Sequence, residues 1–443
     1  DHTLIASTMV SLSSSYHKNK DYKKAIGFSK NALNMYKNLG LEDSAVAISA
    51  LNNLGVIYSN SSQYKLATDT YLEVLERRSR TGIDTKRNYG LIYNNLSTVY
   101  IKRGLISKAE TYLLKSLRNR LELFQLEGPL MPRSKRSSFF GSFKGDSEKL
   151  VYSLSQTSQS AALIALEYRL NRQGLLAEIE KRQSTLVMND KSLGSMLYKL
   201  NKIIDKLSDL TLDPKERFDL VNKQESIERK IYEKLPPLKP RHVSVKQISK
   251  ALDVNSVLIE YQKYYPYNFK TLKFEEQRYM AIVLKPNNEV NILDLGEANY
   301  IDLSVASVAS AIINLKSADR ELARTAQLVI EPLLDSIGAA TTWFVSPDGE
   351  LNRLPFAALK HNNEDIYLAN KVELRLLTTG RELLEIKRSN GSTGKKTLII
   401  ADPSFDNQTV AKNNSGPDLS KEVDTSLMRS AALDAELSWT QLP

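Results

Sequence analysis

Three alanines constrain this chain more than any other feature: Ala25, Ala67 and Ala109 stand 42 residues apart. The same interval separates Leu12, Leu54 and Leu96, then Tyr16, Tyr58 and Tyr100, and then Tyr22, Tyr64 and Ile106. A fixed long interval marks a repeated helical unit, with small residues where two helices cross and large ones filling between them. A generic amphipathic bundle shows the 3.6-residue period but has no reason for such an interval. Helical pairs are therefore predicted at about 3–18 and 21–38, 44–60 and 63–80, and 87–103 and 106–126.

Within each unit a Leu is followed four residues on by an aromatic and nine further on by the Ala, as in Leu54, Tyr58 and Ala67. This resembles the tetratricopeptide repeat, whose usual period is about 34 residues, in the longer form found in kinesin light chains. Ile164, Tyr168 and Ala177 keep the same offsets and predict a degenerate fourth hairpin over about 150–188. The resemblance implies that the first helix of each pair lines a concave groove. Asn52, Asn53, Asn94 and Asn95 are then candidates for holding a partner's extended backbone, since a primary amide both donates and accepts. Lys102 and Arg103, with His17 and Lys18, add positive charge near the same edge. The amides equally suit bridging of neighbouring hairpins.

At 443 residues the chain exceeds one ordinary core, so two or three domains are expected. Residues 1–242 carry 39 Lys and Arg against 25 Asp and Glu, and residues 243–443 carry 22 against 26, so the halves face different partners or each other. The basic half is read as a solvated surface or as a site for an acidic protein; a nucleic acid is the weaker alternative. Zero cysteines exclude disulfides, thiolate zinc sites and a cysteine nucleophile within these residues. No apolar run is long enough to span a bilayer and the start does not read as a signal peptide, so a cytoplasmic location is expected. A start at Asp1 is read as a piece of a longer protein.

Three domains with a linking loop are expected: three repeats over 1–130, a basic Ser/Gly-rich loop over 131–150, a fourth hairpin with connector helices over 151–241, and a different kind of chain over 242–443. The loop is predicted from Pro129, Pro132 and the stretch Arg133 to Gly145, with Arg133, Lys135 and Arg136 as a mobile basic handle. The connector is predicted as a charged helical hairpin over 192–233 turning near Asp213-Pro214, with Leu197, Leu200, Ile204 and Leu207 as its apolar stripe. Beyond Val243, short β-branched runs at Ser256–Tyr261, Tyr279–Leu284, Val290–Leu293, Thr342–Ser346, Tyr367–Leu377 and Thr397–Ala401 read as strands. Helices are predicted at about 302–315, 319–337 and 378–388, which makes this an α/β domain.

The most specific string is Trp343-Phe344-Val345-Ser346-Pro347-Asp348-Gly349-Glu350-Leu351-Asn352-Arg353-Leu354-Pro355-Phe356: a buried strand, a Pro-Asp-Gly turn and an apolar return. With Leu258-Ile259-Glu260-Tyr261-Gln262 and Leu398-Ile399-Ile400-Ala401-Asp402-Pro403-Ser404-Phe405, it resembles the CHAT domain, a caspase-like cysteine peptidase domain found fused to tetratricopeptide repeats. The resemblance implies that Pro347, Asp348, Gly349, Leu354, Pro355 and Phe356 are structural and belong to a first, pseudo-protease half. Members of that family place a His and a Cys after two later strands. Neither setting occurs among His2, His17, His242 and His361, and Cys is absent.

The implied whole is an all-α repeat solenoid followed by an incomplete caspase-like domain whose catalytic half is expected outside residues 1–443. No catalytic, cofactor or metal set is assigned. The solenoid is expected to bind a protein or peptide that regulates peptide hydrolysis; a non-enzymatic scaffold is the alternative, and a nucleic-acid-associated adaptor a weaker one. Gly391-Ser392-Thr393-Gly394-Lys395 precedes its strand and lacks the Ser or Thr after the Lys, so it is set aside as a phosphate loop, and Ser404 as a turn residue.

Overall fold

The computed structural model describes residues 2–82, 86–142, 146–314, 316–360 and 366–388. Its first six helices are α1 (His2–Lys18), α2 (Tyr22–Asn38), α3 (Ala45–Asn60), α4 (Tyr64–Thr81), α5 (Lys86–Lys102) and α6 (Ile106–Glu127), packed as three antiparallel pairs at the predicted places. Ala25, Ala67 and Ala109 are fully buried, so each repeat's alanine lies where its helices cross. Positions 20, 62 and 104, again one period apart, all turn through left-handed backbone, with φ of +61° at Lys20, +61° at Ser62 and +70° at Gly104. Ser44 caps α3 by accepting from the Ala47 N–H.

Residues 131–150 are not the expected loop. They contribute α7 (Arg133–Ser142) and the start of α8 (Asp146–Leu154). Ion pairing to a distant helix supplies what local propensity lacks: Lys135 pairs with Glu225 at 3.2 Å, and the Arg133 N–H donates to Glu228 at 2.8 Å. Arg136 is fully buried, donating to the carbonyls of Met131 and Pro129 with its guanidinium over the Tyr232 ring. Arg136 is therefore locked inward, Lys135 is tied by its ion pair with its side chain left exposed, and the expectation of a mobile basic handle is corrected.

The fourth hairpin also differs. α9 (Gln159–Arg172) and α10 (Leu175–Asn189) lie where predicted but diverge after Gly174. α9 packs on α6 and α8, while α10 packs on α7 and the turn Gly128–Leu130. Then α11 (Gly194–Leu207) and α12 (Pro214–Lys234) form the expected connector hairpin, with Asp213 capping α12 and Pro214 at its first position. α13 (Val245–Ala251) starts with a capping box of Ser244 and Gln247.

The second half is built on strands β1 (Ser256–Tyr264), a short ribbon of β2 (Tyr267–Asn268) and β3 (Lys273–Phe274), β4 (Arg278–Leu284), β5 (Val290–Glu297), β6 (Thr342–Ser346) and β7 (Glu373–Leu376). Five of them make a sheet in the order β5-β4-β1-β6-β7, antiparallel from β5 to β1 and parallel from β1 to β7. Helices α14 (Ala298–Ile313), α15 (Asp319–Val329) and α16 (Leu334–Ile337) join β5 to β6, and α17 (Leu383–Arg388) follows β7. The single helix predicted at 319–337 breaks at Pro332 because proline lacks the N–H the helix needs. The strand predicted over 367–377 is shortened to β7 by a 3-10 turn at Leu368–Asn370. Thr397–Ala401, the Gly391–Lys395 string and Ser404 lie outside the described residues.

Alternation along each strand gives the sheet two apolar faces. Val257, Ile259, Tyr261, Tyr279, Trp343 and Val345 meet α14 to α16. On the other face, Leu258, Met280, Ile282, Leu284 and Phe344 join the same core as Leu54, Leu96, Phe124, Leu154 and Leu166 of the helical half. Solenoid and sheet share one hydrophobic interior.

Candidate functional site at the junction of helices and sheet

The residues of β1 that face the helices include two polar ones, Glu260 and Gln262. A fully buried carboxylate requires a partner, since burying a lone charge is costly. The partner is Arg169 of α9, whose Nε donates to Glu260 Oε2 at 2.7 Å and whose Nη1 donates to Gln262 Oε1 at 2.9 Å. Its Nη2 donates to Ser346 Oγ at 3.1 Å and to the carbonyls of Ser346 at 3.3 Å and Pro347 at 3.2 Å. Glu260 Oε1 accepts from the Gly380 N–H at 2.6 Å and from Thr379 Oγ1 at 3.1 Å. The two side chains are 1% and 0% exposed. Burial pulls the Arg169 pKa down, but the carboxylates of Glu260 and then Asp348 more than offset it and hold the group above its ordinary value. One guanidinium from a helix packed against the last repeat thus ties together β1 and the end of β6 and, through Glu260, the turn after β7.

Beside this tie lies a cleft of about 310 Å³, walled by Glu148, Lys149 and Arg172 from the helices and by Lys263, Tyr264 and Asp348 from the sheet. The Pro-Asp-Gly string contributes Asp348 to its wall. Asp348 Oδ2 accepts from the Lys263 N–H at 2.8 Å and from Gln262 Nε2 at 2.9 Å, pinning the end of β6 to the end of β1. Gly349 turns at φ +56°, and a Cβ there would sit 2.4 Å from the Tyr279 hydroxyl. That hydroxyl donates to Asp302 at 2.8 Å and accepts from the Glu350 N–H at 3.0 Å; burial, then the Asp302 carboxylate, raises its pKa well above the usual range. Leu351, Leu354 and Phe356 return into the core. The cleft can hold and orient a polar group, but among the described residues no imidazole lines it, and the chain has no thiol.

The sequence-predicted residues fall into two sets. Asn53 is exposed and Asn95 half-buried at the same register, while Asn52 and Asn94 turn inward: the Asn52 Oδ1 is buried, and the Asn94 Oδ1 accepts from Ser147 of α8. Lys102 stands over the Tyr64 ring at 5.5 Å, and Arg103 donates to Thr68 Oγ1 at 3.0 Å. His17 meets Asn60 at 2.8 Å and His242 meets Glu167 at 3.1 Å; His361 lies outside the described residues. Sequence reasoning missed Arg169. Its signal was Glu260, a carboxylate set in an apolar strand whose one sequence-near cation, Lys263, falls on the opposite face by strand alternation and pairs with Asp302 instead.

Residues 4–80 and 46–122 each match the model of the tetratricopeptide repeat, and residues 319–443 match that of the CHAT domain. The CHAT match begins after β1, β4 and β5, so three of the five strands of the sheet precede it. No curated protein matches the chain. No helix among the described residues is long and apolar enough to cross a membrane. The periodic helical pairs, the sheet ending in the Pro-Asp-Gly turn and the two family matches agree: this chain carries tetratricopeptide repeats followed by a CHAT domain.

Proposed function

We propose that residues 1–443 are the repeat scaffold and the non-catalytic, pseudo-protease part of a caspase-like cysteine peptidase, with the solenoid binding a protein partner that regulates peptide-bond hydrolysis. The observation that carries this reading is the Arg169–Glu260 tie, through which a helix packed on the repeats fixes the strand ends beside the cleft. A helical array that shifts when a partner binds would move those ends through it. Caspase-type chemistry needs a thiolate and an imidazole beside it. With no cysteine in the chain, the thiolate would come from outside these residues. Asn53 and Asn95 are the groove residues on this reading, and domain limits near 130 and 241 are those adopted for it.

Purified residues 1–443 are expected to leave fluorogenic peptides uncut. Hydrolysis that survives thiol-directed inhibitors overturns the assignment of catalysis to an external thiolate. The lack of cysteine equally favours a second reading, a scaffold with no hydrolysis at all. The two part on whether the full-length parent protein labels with a thiol-reactive peptide probe.

A further inference from the structure

The turns that join the two helices of each repeat lie side by side along one edge of the solenoid. His17 of the first turn meets Asn60 of the second at 2.8 Å, and Lys102 and Arg103 of the third reach back to Tyr64 and Thr68 of the second. Along this edge run Lys18, Lys20, Lys23 and Lys24, then Lys65, then Lys102, Arg103 and Lys108. Only Lys24 has a carboxylate partner among the described residues, Asp21 at 3.3 Å.

Helix stabilisation does not account for these charges. Apart from Asp21, which caps α2 by accepting from the Lys24 N–H, the starts of α2, α4 and α6 hold no acidic side chain among the described residues, although the N-terminal end of a helix favours acids and disfavours cations. Instead Lys23 and Lys24, Lys65 and Lys108 stand at or beside those starts. Several of the cations are held in place by tyrosine rings: Lys24 lies 5.2 Å from the Tyr16 centroid, Lys102 5.5 Å from Tyr64, and Arg103 and Lys108 each 5.9 Å from Tyr100. Parking long side chains on rings lowers the entropy lost when they take up an anion.

We infer that this edge, which Lys102 reaches two helical turns beyond Asn95 on α5, is a docking surface for an acidic peptide segment of a partner protein that does not need the asparagine amides. The rings decide against a single-stranded nucleic acid. Such ligands are held by stacking bases on free aromatic faces, whereas here the tyrosines are faced by the protein's own cations. Recognition is left to charge, which carboxylates repeated along an extended peptide satisfy.

The test is fluorescence anisotropy of a labelled peptide of alternating Glu and Gly with the whole chain. Binding should weaken as salt rises, because screening shortens the reach of exposed charges. Lys20→Glu, Lys65→Glu and Lys102→Glu together should weaken it at least about tenfold. Lys18→Gln, Lys20→Gln and Lys23→Gln, which touch no ring, should weaken it in a chain whose folding is undisturbed. Asn53→Ala with Asn95→Ala should leave it unchanged, which separates this surface from the groove. The inference is overturned if the wild-type chain does not bind the peptide, if either lysine triple binds as the wild type does, if the asparagine pair abolishes binding, or if an oligothymidylate of equal charge binds more tightly.

Discussion

Arg169 and Glu260 are where a single side chain carries the most. Removing one member leaves the other charged and buried, so Arg169→Met is expected to cost about 3–5 kcal/mol, whereas Arg169→Met with Glu260→Met should recover much of that loss. Urea denaturation of the two singles and the double measures the coupling, and additive losses would show that the pair does not act as a unit. Gly349→Ala belongs to the same scale, since it forces a side chain into left-handed backbone against the Tyr279 hydroxyl and should destabilise by about 1–3 kcal/mol.

At the scale of the element, the 42-residue interval made the six repeat helices legible, because it reports which residues meet rather than what each prefers. Ala67→Leu is accordingly expected to overpack the second hairpin by about 1–3 kcal/mol, while Asn53→Ala with Asn95→Ala leaves the melting temperature nearly unchanged. The turns make the opposite kind of prediction. Lys20 and Ser62 hold left-handed backbone where the third repeat has Gly104, so Ser62→Gly should raise stability by about 1 kcal/mol, read from the same melts. What was illegible was held by distant partners. α7 reads as a loop because its Ser, Arg and Lys residues have no local reason to be helical, and the reason, Glu225 and Glu228, lies some ninety residues on. The same holds at the junction, where the alternation in β1 places Glu260 towards the helices but cannot name Arg169 as what waits there.

For the molecule as a whole, the shared core predicts one cooperative unfolding transition across α8, α9 and the sheet, where two independent domains would give two. Calorimetry distinguishes them. Alkali should reach the cores on both faces of the sheet through their tyrosines. Burial raises the pKa of Tyr152, Tyr168 and Tyr261, and pushes Tyr264 up to about 12. A group raised on folding contributes stability that is complete below its unfolded value of about 10 and is lost as pH rises through the folded one. Stability should therefore hold to about pH 10 and decline towards 12, with phenolate absorbance appearing together with loss of structure.

The face that Leu258, Met280, Ile282 and Phe344 turn towards the helices also limits how such a chain can be recombined. A chimera spliced at the proline-rich boundary near residue 240, with a foreign repeat array in place of the native one, would inherit an unmatched apolar wall and an unanswered carboxylate at Glu260. The exchangeable unit begins no later than α8, so new repeat arrays can be grafted only upstream of it, and α8 and α9 must travel with the sheet as its own covering layer.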